Sequence, residues 1–153
     1  MFTDDELADL TELCLRSKAV WGYDRGFLEV CRGELTLREE DLMTTHVAVA
    51  EIRGAVVGVV QVETAGRTAD LLKLFIDPPS LGNGTGRRLF DWACALAKDQ
   101  SATDLVIEAD PYVAPFYRRM GARDVGFAPS GSIAGRMLPK LTLDLTKDTP
   151  RTD

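Results

Sequence analysis

A chain of 153 residues, 45% hydrophobic and 27% charged, has the make-up of a globular domain large enough to bury a core. Its 18 basic and 24 acidic side chains leave a formal charge of −6, which argues against a nucleic-acid partner. Three scattered cysteines (Cys14, Cys31, Cys94) and one histidine, His46, form no ligand pattern, so no metal is expected and the cysteines read as core. No apolar run is long enough to span a membrane and no signal-peptide pattern opens the chain, so a cytoplasmic protein with no membrane partner is expected.

The chain opens on a helix signal. Thr3 is a capping residue with Glu6 three positions on, and Leu7, Leu10, Leu13 and Cys14 follow at helical spacing. Trp21-Gly22-Tyr23-Asp24 interrupts this helix near Ala19, and a second runs from about Asp24 through Leu37 with Phe27, Leu28, Cys31 and Leu35 inward. The period then changes to two. Residues 46–51 and 56–63, joined by Arg53-Gly54, read as a hairpin. A third strand covers 69–77 and stops at Pro78-Pro79. A helix is expected over 87–98, a strand over 104–110, a helix over 113–120 ending at Gly121, and strands over 124–127 and 138–145. This order predicts one α+β domain over 1–145 with a mixed sheet, and a polar, disordered tail over 146–153.

Between the third strand and the helix after it lies Ser80-Leu81-Gly82-Asn83-Gly84-Thr85-Gly86-Arg87-Arg88. A glycine-rich turn at a helix start presents backbone N–H groups at the positive end of the helix dipole and suits a phosphate. Three alternating glycines cost more chain entropy than a simple turn requires, which favours a binding role. The P-loop spacing is absent, because Gly86 precedes two arginines and no magnesium-binding hydroxyl follows. The dinucleotide fingerprint also fails, because the third glycine comes one residue early and an antiparallel hairpin precedes the loop.

The run from Ala69 to Phe90 resembles motif A of the GCN5-related N-acetyltransferases, commonly written [Q/R]-x-x-G-x-[G/A]. Residues 17–24, 110–122 and 131–139 resemble further segments of a bacterial branch of this family, in the same order. The resemblance implies a mostly antiparallel sheet with helices on both faces, splayed between its two central strands. It implies acetyl-CoA as co-substrate. Gly82, Asn83, Gly84, Thr85, Gly86 and Arg87 would hold the pyrophosphate, and the backbone of Leu74, Phe75 and Ile76 would pair with the pantetheine arm. Arg88 divides evenly between that role and a surface ion pair. Two positions depart from the pattern: Leu81 stands where Gln or Arg is usual, and Tyr112 stands where an asparagine often contacts the cofactor arm.

Tyr117 follows Phe116 at the place where the family often has a tyrosine near the sulfur. A phenol there would protonate the departing thiolate; the bland alternative is a helix tyrosine packed on Phe116. The general base is the least legible residue. Glu108, set in an apolar strand, Asp70 and Glu63 at the end of the hairpin are the carboxylates in reach, with Glu108 favoured, Asp70 second and Lys73 read as pointing outward. Trp21, Tyr23 and Phe27 would line the acceptor pocket, and Arg136 would bind an acidic group of the acceptor. Trp21 is equally readable as core.

The reading that follows is an N-acetyltransferase moving an acetyl group to a primary amine of a small molecule or peptide, directly and in a ternary complex, with a homodimer possible. Leu81, Tyr112 and the missing base leave open a non-catalytic acyl-CoA-binding module. The glycine loop taken alone leaves open a nucleotide-binding regulator.

Overall fold

The computed structural model describes residues 2–146. The expected tail falls at 147–153, outside the described residues, apart from Thr146. In chain order the elements are α1 (Asp4–Ala19), α2 (Arg25–Leu35), α3 (Glu39–Thr44), β1 (His46–Ile52), β2 (Ala55–Ala65), β3 (Thr68–Ile76), α4 (Thr85–Asp99), β4 (Asp104–Glu108), α5 (Ala114–Arg119), β5 (Arg123–Pro129) and β6 (Met137–Asp144). Thr3 and Glu6 form the expected capping box at the start of α1, with bonds of 3.1 and 2.9 Å. Asp24 caps α2 by accepting from the Phe27 N–H at 2.8 Å. α2 ends two residues earlier than expected, because Thr36 turns extended. The six-residue α3 was not expected. It is too short to show a period, and Arg38 at its N-cap is not a capping residue type; the Asp41 carboxylate instead accepts from the Arg38 N–H.

The strands form one sheet in the order β1-β2-β3-β4-β6-β5. Only β3 and β4 run parallel; the other neighbours are antiparallel. Alternation along β2 separates two cores. Val60 and Val62 face α4 and α5 with Phe90, Leu105, Ile107 and Leu141, all nearly inaccessible. Val59 faces α1 and α2 with Leu10, Leu13, Cys14 and Cys31. The helices therefore cover both faces, as the resemblance implies, and all three cysteines are buried thiols outside any disulfide.

The parallel pairing is short. Thr68 to Leu71 lie opposite Asp104 to Ile107, and no further pairs form, although β3 continues to Ile76 against β2. The sheet is thus open between its two central strands at the carboxyl end of both.

Candidate active site

A cleft of about 570 Å³ occupies this opening. Its walls are the unpaired end of β3, the end of β4, the glycine loop, α5 and the last turns of α1 and α2. Leu74, Phe75 and Ile76 all line it, so the stretch of β3 that lacks a partner strand on this side is the stretch expected to take a cofactor arm.

The glycine loop closes one end. Gly82, Gly84, Gly86 and Arg87 line the cleft; Asn83 and Thr85 do not. Gly82 and Gly84 hold φ of +83° and +87°, left-handed values that glycine adopts without steric cost. A Cβ at either would meet no atom within 4 Å, so both glycines border open space. Asn83 works within the loop: its Oδ1 accepts from the Thr85 N–H at 3.2 Å and from the Thr85 hydroxyl at 2.5 Å. These two side chains are thus engaged with each other, and neither residue lines the cleft, which corrects their place among the residues expected to hold the pyrophosphate. Helix α4 starts at Thr85, two residues earlier than expected, so Gly86 and Arg87 lie on its first turn. First-turn N–H groups have no carbonyl acceptor within their own helix, and this turn opens on the cleft. The donor set fits a pyrophosphate.

Tyr117 lies on α5 in the deep wall. Phe90 and Phe116 hold its ring, with centroids 5.8 and 5.3 Å away. Burial pushes its phenol well above the usual range, and the Asp110 charge adds to this. Tyr117 therefore keeps its proton across the neutral range. Packing on Phe116 and exposure to the cleft coexist.

The other end of the cleft is a polar cluster around Asp110. Its Oδ2 accepts from Lys18 Nζ and from the Tyr23 hydroxyl, each at 2.9 Å. Arg136 Nη2 donates to the same hydroxyl at 2.6 Å and lies 3.6 Å from Asp110 Oδ2. Tyr23 stacks on Phe27 at 4.2 Å, and the Lys18 and Arg136 cations lie 5.0–5.8 Å from the two ring centroids. Burial opposes ionisation of Asp110, yet the Lys18 ammonium, the Tyr112 N–H and the Tyr23 hydroxyl hold its carboxyl below the usual range. Burial and the same carboxylate push the Tyr23 phenol up to about 12.

Trp21 and Arg136 line the cleft directly, whereas Tyr23 and Phe27 support it from behind. Trp21 is 38% exposed, which removes its reading as core. Tyr112 is not among the lining residues. It stacks on Trp21 at 5.6 Å with rings nearly parallel, so it braces the Trp21 wall and is corrected as a cofactor contact. Asp110 and Lys18 were missed. Both sit inside segments that carried the family resemblance, but no local pattern marks a pair 92 positions apart.

Of the two leading base candidates, one lines the cleft and the other does not. Asp70 lies on the closed part of β3, opposite Val106 of β4 and Glu63 of β2, and does not line the cleft. Glu108 lines it but is the exposed last residue of β4, not a mid-strand residue. His46 opens β1 and is also not among the lining residues. Lys73, read as pointing outward, is half-buried and lines the cleft. Among the described residues no cluster of His, Cys, Asp and Glu could hold a metal ion, and no helix is long and apolar enough to cross a membrane.

Residues 14–131 match the family model described as an acetyltransferase (GNAT) domain, and the chain belongs to that family. Solved structures with the same fold include a PaiA N-acetyltransferase from Thermoplasma acidophilum in complex with coenzyme A, 15% identical over 94% of this chain and 95% of that one, with a TM-score of 0.73. A GCN5-related N-acetyltransferase from Rhodopseudomonas palustris is 18% identical over 94% and 92%, with a TM-score of 0.77. A GNAT-family acetyltransferase from Staphylococcus aureus Mu50 is 17% identical over 94% and 96%, with a TM-score of 0.74. A search of curated proteins found no significant match.

Proposed function

We propose that this chain is an acetyl-CoA-dependent N-acetyltransferase that acetylates a primary amine of a small molecule or peptide by direct transfer in a ternary complex. The observation that carries this reading is that one cleft between β3 and β4 is lined together by the glycine loop, the unpaired end of β3, Tyr117 and the polar residues Lys18, Asp110 and Arg136. Acetyl-CoA would enter with its pyrophosphate on the first turn of α4 and its arm along Leu74 to Ile76.

Each group then has a physical task. The β3 edge supplies backbone donors and acceptors that orient the arm, so that binding energy is converted into alignment. Tyr117 presents an O–H where a thiolate would depart and supplies its proton or a hydrogen bond. Trp21 and the Lys18–Asp110–Tyr23–Arg136 cluster shape the entrance for the acceptor. Within that cluster Lys18 and Arg136 carry two positive charges against the one carboxylate of Asp110, which favours an acidic group of the acceptor there, while Glu34 and Glu108 line the same cleft and suit its amine.

The test is coenzyme A thiol release measured over a panel of amines and peptides, with and without a carboxylate. Sustained, amine-dependent release that falls in Tyr117→Phe supports the reading. Tight coenzyme A binding with no release on any amine would identify an acyl-CoA-binding module instead.

A further inference from the structure

Lys73 occupies a special place on β3. It lies just past Leu71, the last residue paired with β4, and immediately before Leu74. It lies opposite Gln61 in the register with β2 and lines the same cleft as Tyr117 and Arg136.

Its side chain is held by a directional relay. Lys73 Nζ donates to Gln61 Oε1 at 2.8 Å. Gln61, 1% exposed, donates through Nε2 to Thr45 Oγ1 at 3.0 Å. The Thr45 hydroxyl proton goes to the Asp41 carbonyl at 2.5 Å. Because that proton is committed, Thr45 Oγ1 must accept from Gln61. The amide of Gln61 is therefore fixed with its carbonyl toward Lys73. Lys73 needs only one N–H for this bond, and a neutral amine provides it with the lone pair left over.

The surrounding charges leave the ammonium weakly supported. Cys14 of α1, Glu34 of α2 and Asp41 of α3 favour it through space, without a hydrogen bond; Arg38 opposes it. Cys14 is itself held as a neutral thiol, its pKa pushed up to about 12 by burial. Burial outweighs the two carboxylates and draws the Lys73 amine below the usual lysine range. A half-buried lysine whose one hydrogen-bond partner is a neutral amide suits proton transfer better than ion pairing.

We propose that Lys73 is the general base of the transfer. Resting on the N-acetyltransferase reading above, the neutral Nζ takes one proton from the acceptor ammonium. The freed nitrogen lone pair forms the C–N bond at the thioester carbonyl and the C–S bond breaks. The departing thiolate gains a proton by way of Tyr117, and the second proton lost by the acceptor nitrogen restores that phenol. Lys73 returns its own proton to solvent through the cleft mouth, so each turnover gives one amide, one thiol and one released proton.

The experiment has two parts. Lysine 13Cε resonances are titrated in the whole protein, with Lys73 assigned by its loss in Lys73→Arg; it should titrate below the ordinary lysine value of ~10.4. A normal or raised value overturns the proposal. Then kcat/KM is followed against pH for the best amine of the panel. Lys73→Met should lose the acid limb and about 10²-fold or more in rate, with coenzyme A affinity and thermal midpoint kept. Lys73→Arg, which keeps the charge and cannot give up its proton, should be equally slow, while Glu108→Gln should retain the limb. Wild-type rates in Lys73→Arg, or a limb lost only in Glu108→Gln, overturn the role of Lys73. Stoichiometric acetylation of Lys73 itself, read by intact mass, also overturns it. Absence of turnover by the unaltered protein overturns the transfer reading as a whole.

Discussion

Lys18 Nζ lies 2.9 Å from Asp110 Oδ2, which ties the last turn of α1 to the segment that follows β4. The two side chains are only 12% and 11% exposed, so water screens the pair poorly. One carboxylate thereby positions a lysine, a tyrosine and an arginine at the mouth of the cleft.

Replacing that carboxylate should cost stability. Asp110→Asn keeps the volume and leaves Lys18 and Arg136 without a counter-charge; the expected loss is ~1.5–3 kcal/mol, read from urea unfolding. The pH dependence has a definite sign. The folded carboxyl titrates below its unfolded value, so its contribution is fully present above ~3.9 and is lost as pH falls through the lower folded value. The difference between the wild type and Asp110→Asn should therefore shrink below about pH 4.

Tyr23→Phe should separate the acceptor end from the cofactor end. The stacking on Phe27 survives, but the hydroxyl that joins Arg136 to Asp110 is removed. Arg136 then loses its hydrogen bond to that hydroxyl and keeps only the 3.6 Å approach to Asp110 and its place over the rings. The acceptor KM should rise severalfold, coenzyme A affinity measured by calorimetry should not move, and stability should fall by ~0.5–1.5 kcal/mol.

Tyr117→Phe should act on kcat. The ring remains packed between Phe90 and Phe116, so folding and coenzyme A binding should persist. Loss of the proton donor should lower kcat by about 10²-fold, the low end for removal of a general acid. The raised phenol means that the wild type should show no basic limb from this residue below about pH 10.

The parts of this site that could be read in the sequence are those encoded locally. The glycine loop, the Phe116-Tyr117 pair and the capping box at Thr3 each place their signal within a few residues, and each lies where expected. The base was not legible for a different reason. Alternation gives Asp70, Lys73 and Glu108 similar surroundings in the sequence. What separates them is where β3 and β4 part company, at Leu71, and only the tertiary structure sets that point. The Asp110 cluster is likewise non-local: its partners come from α1, from the turn between α1 and α2 and from the segment before β6. The edge strand β5 also exceeded its expected bounds, because only Ala128 of its seven residues is buried and the strand is set by pairing with β6.

The glycines of the loop make the sharpest division between folding and binding. Gly86 lies on the first turn of α4, where an added Cβ would meet Phe116 Cζ at 3.6 Å and Ile76 Cγ1 at 3.8 Å, ordinary packing distances. The new methyl would pack on those two side chains. Gly86→Ala should therefore be neutral or stabilising by up to ~1 kcal/mol, since alanine is the better helix former, with coenzyme A affinity little changed. Gly84 is the opposite case. It sits at φ +87°, so Gly84→Ala imposes ~1–2 kcal/mol of left-handed strain, and the new methyl projects toward open space beside the cleft. Its coenzyme A Kd should rise at least tenfold, measured by calorimetry below the thermal midpoint of the variant. Gly58→Ala provides the control. Its Cβ would approach Leu89 Cδ1 to 2.8 Å and Ile76 Cδ1 to 3.0 Å between β2 and α4, so it should lose ~1–3 kcal/mol through overpacking. If Gly58→Ala lowers stability as much as Gly84→Ala yet leaves the Kd unchanged, the loss in Gly84→Ala belongs to the anion site and not to general loosening of the fold.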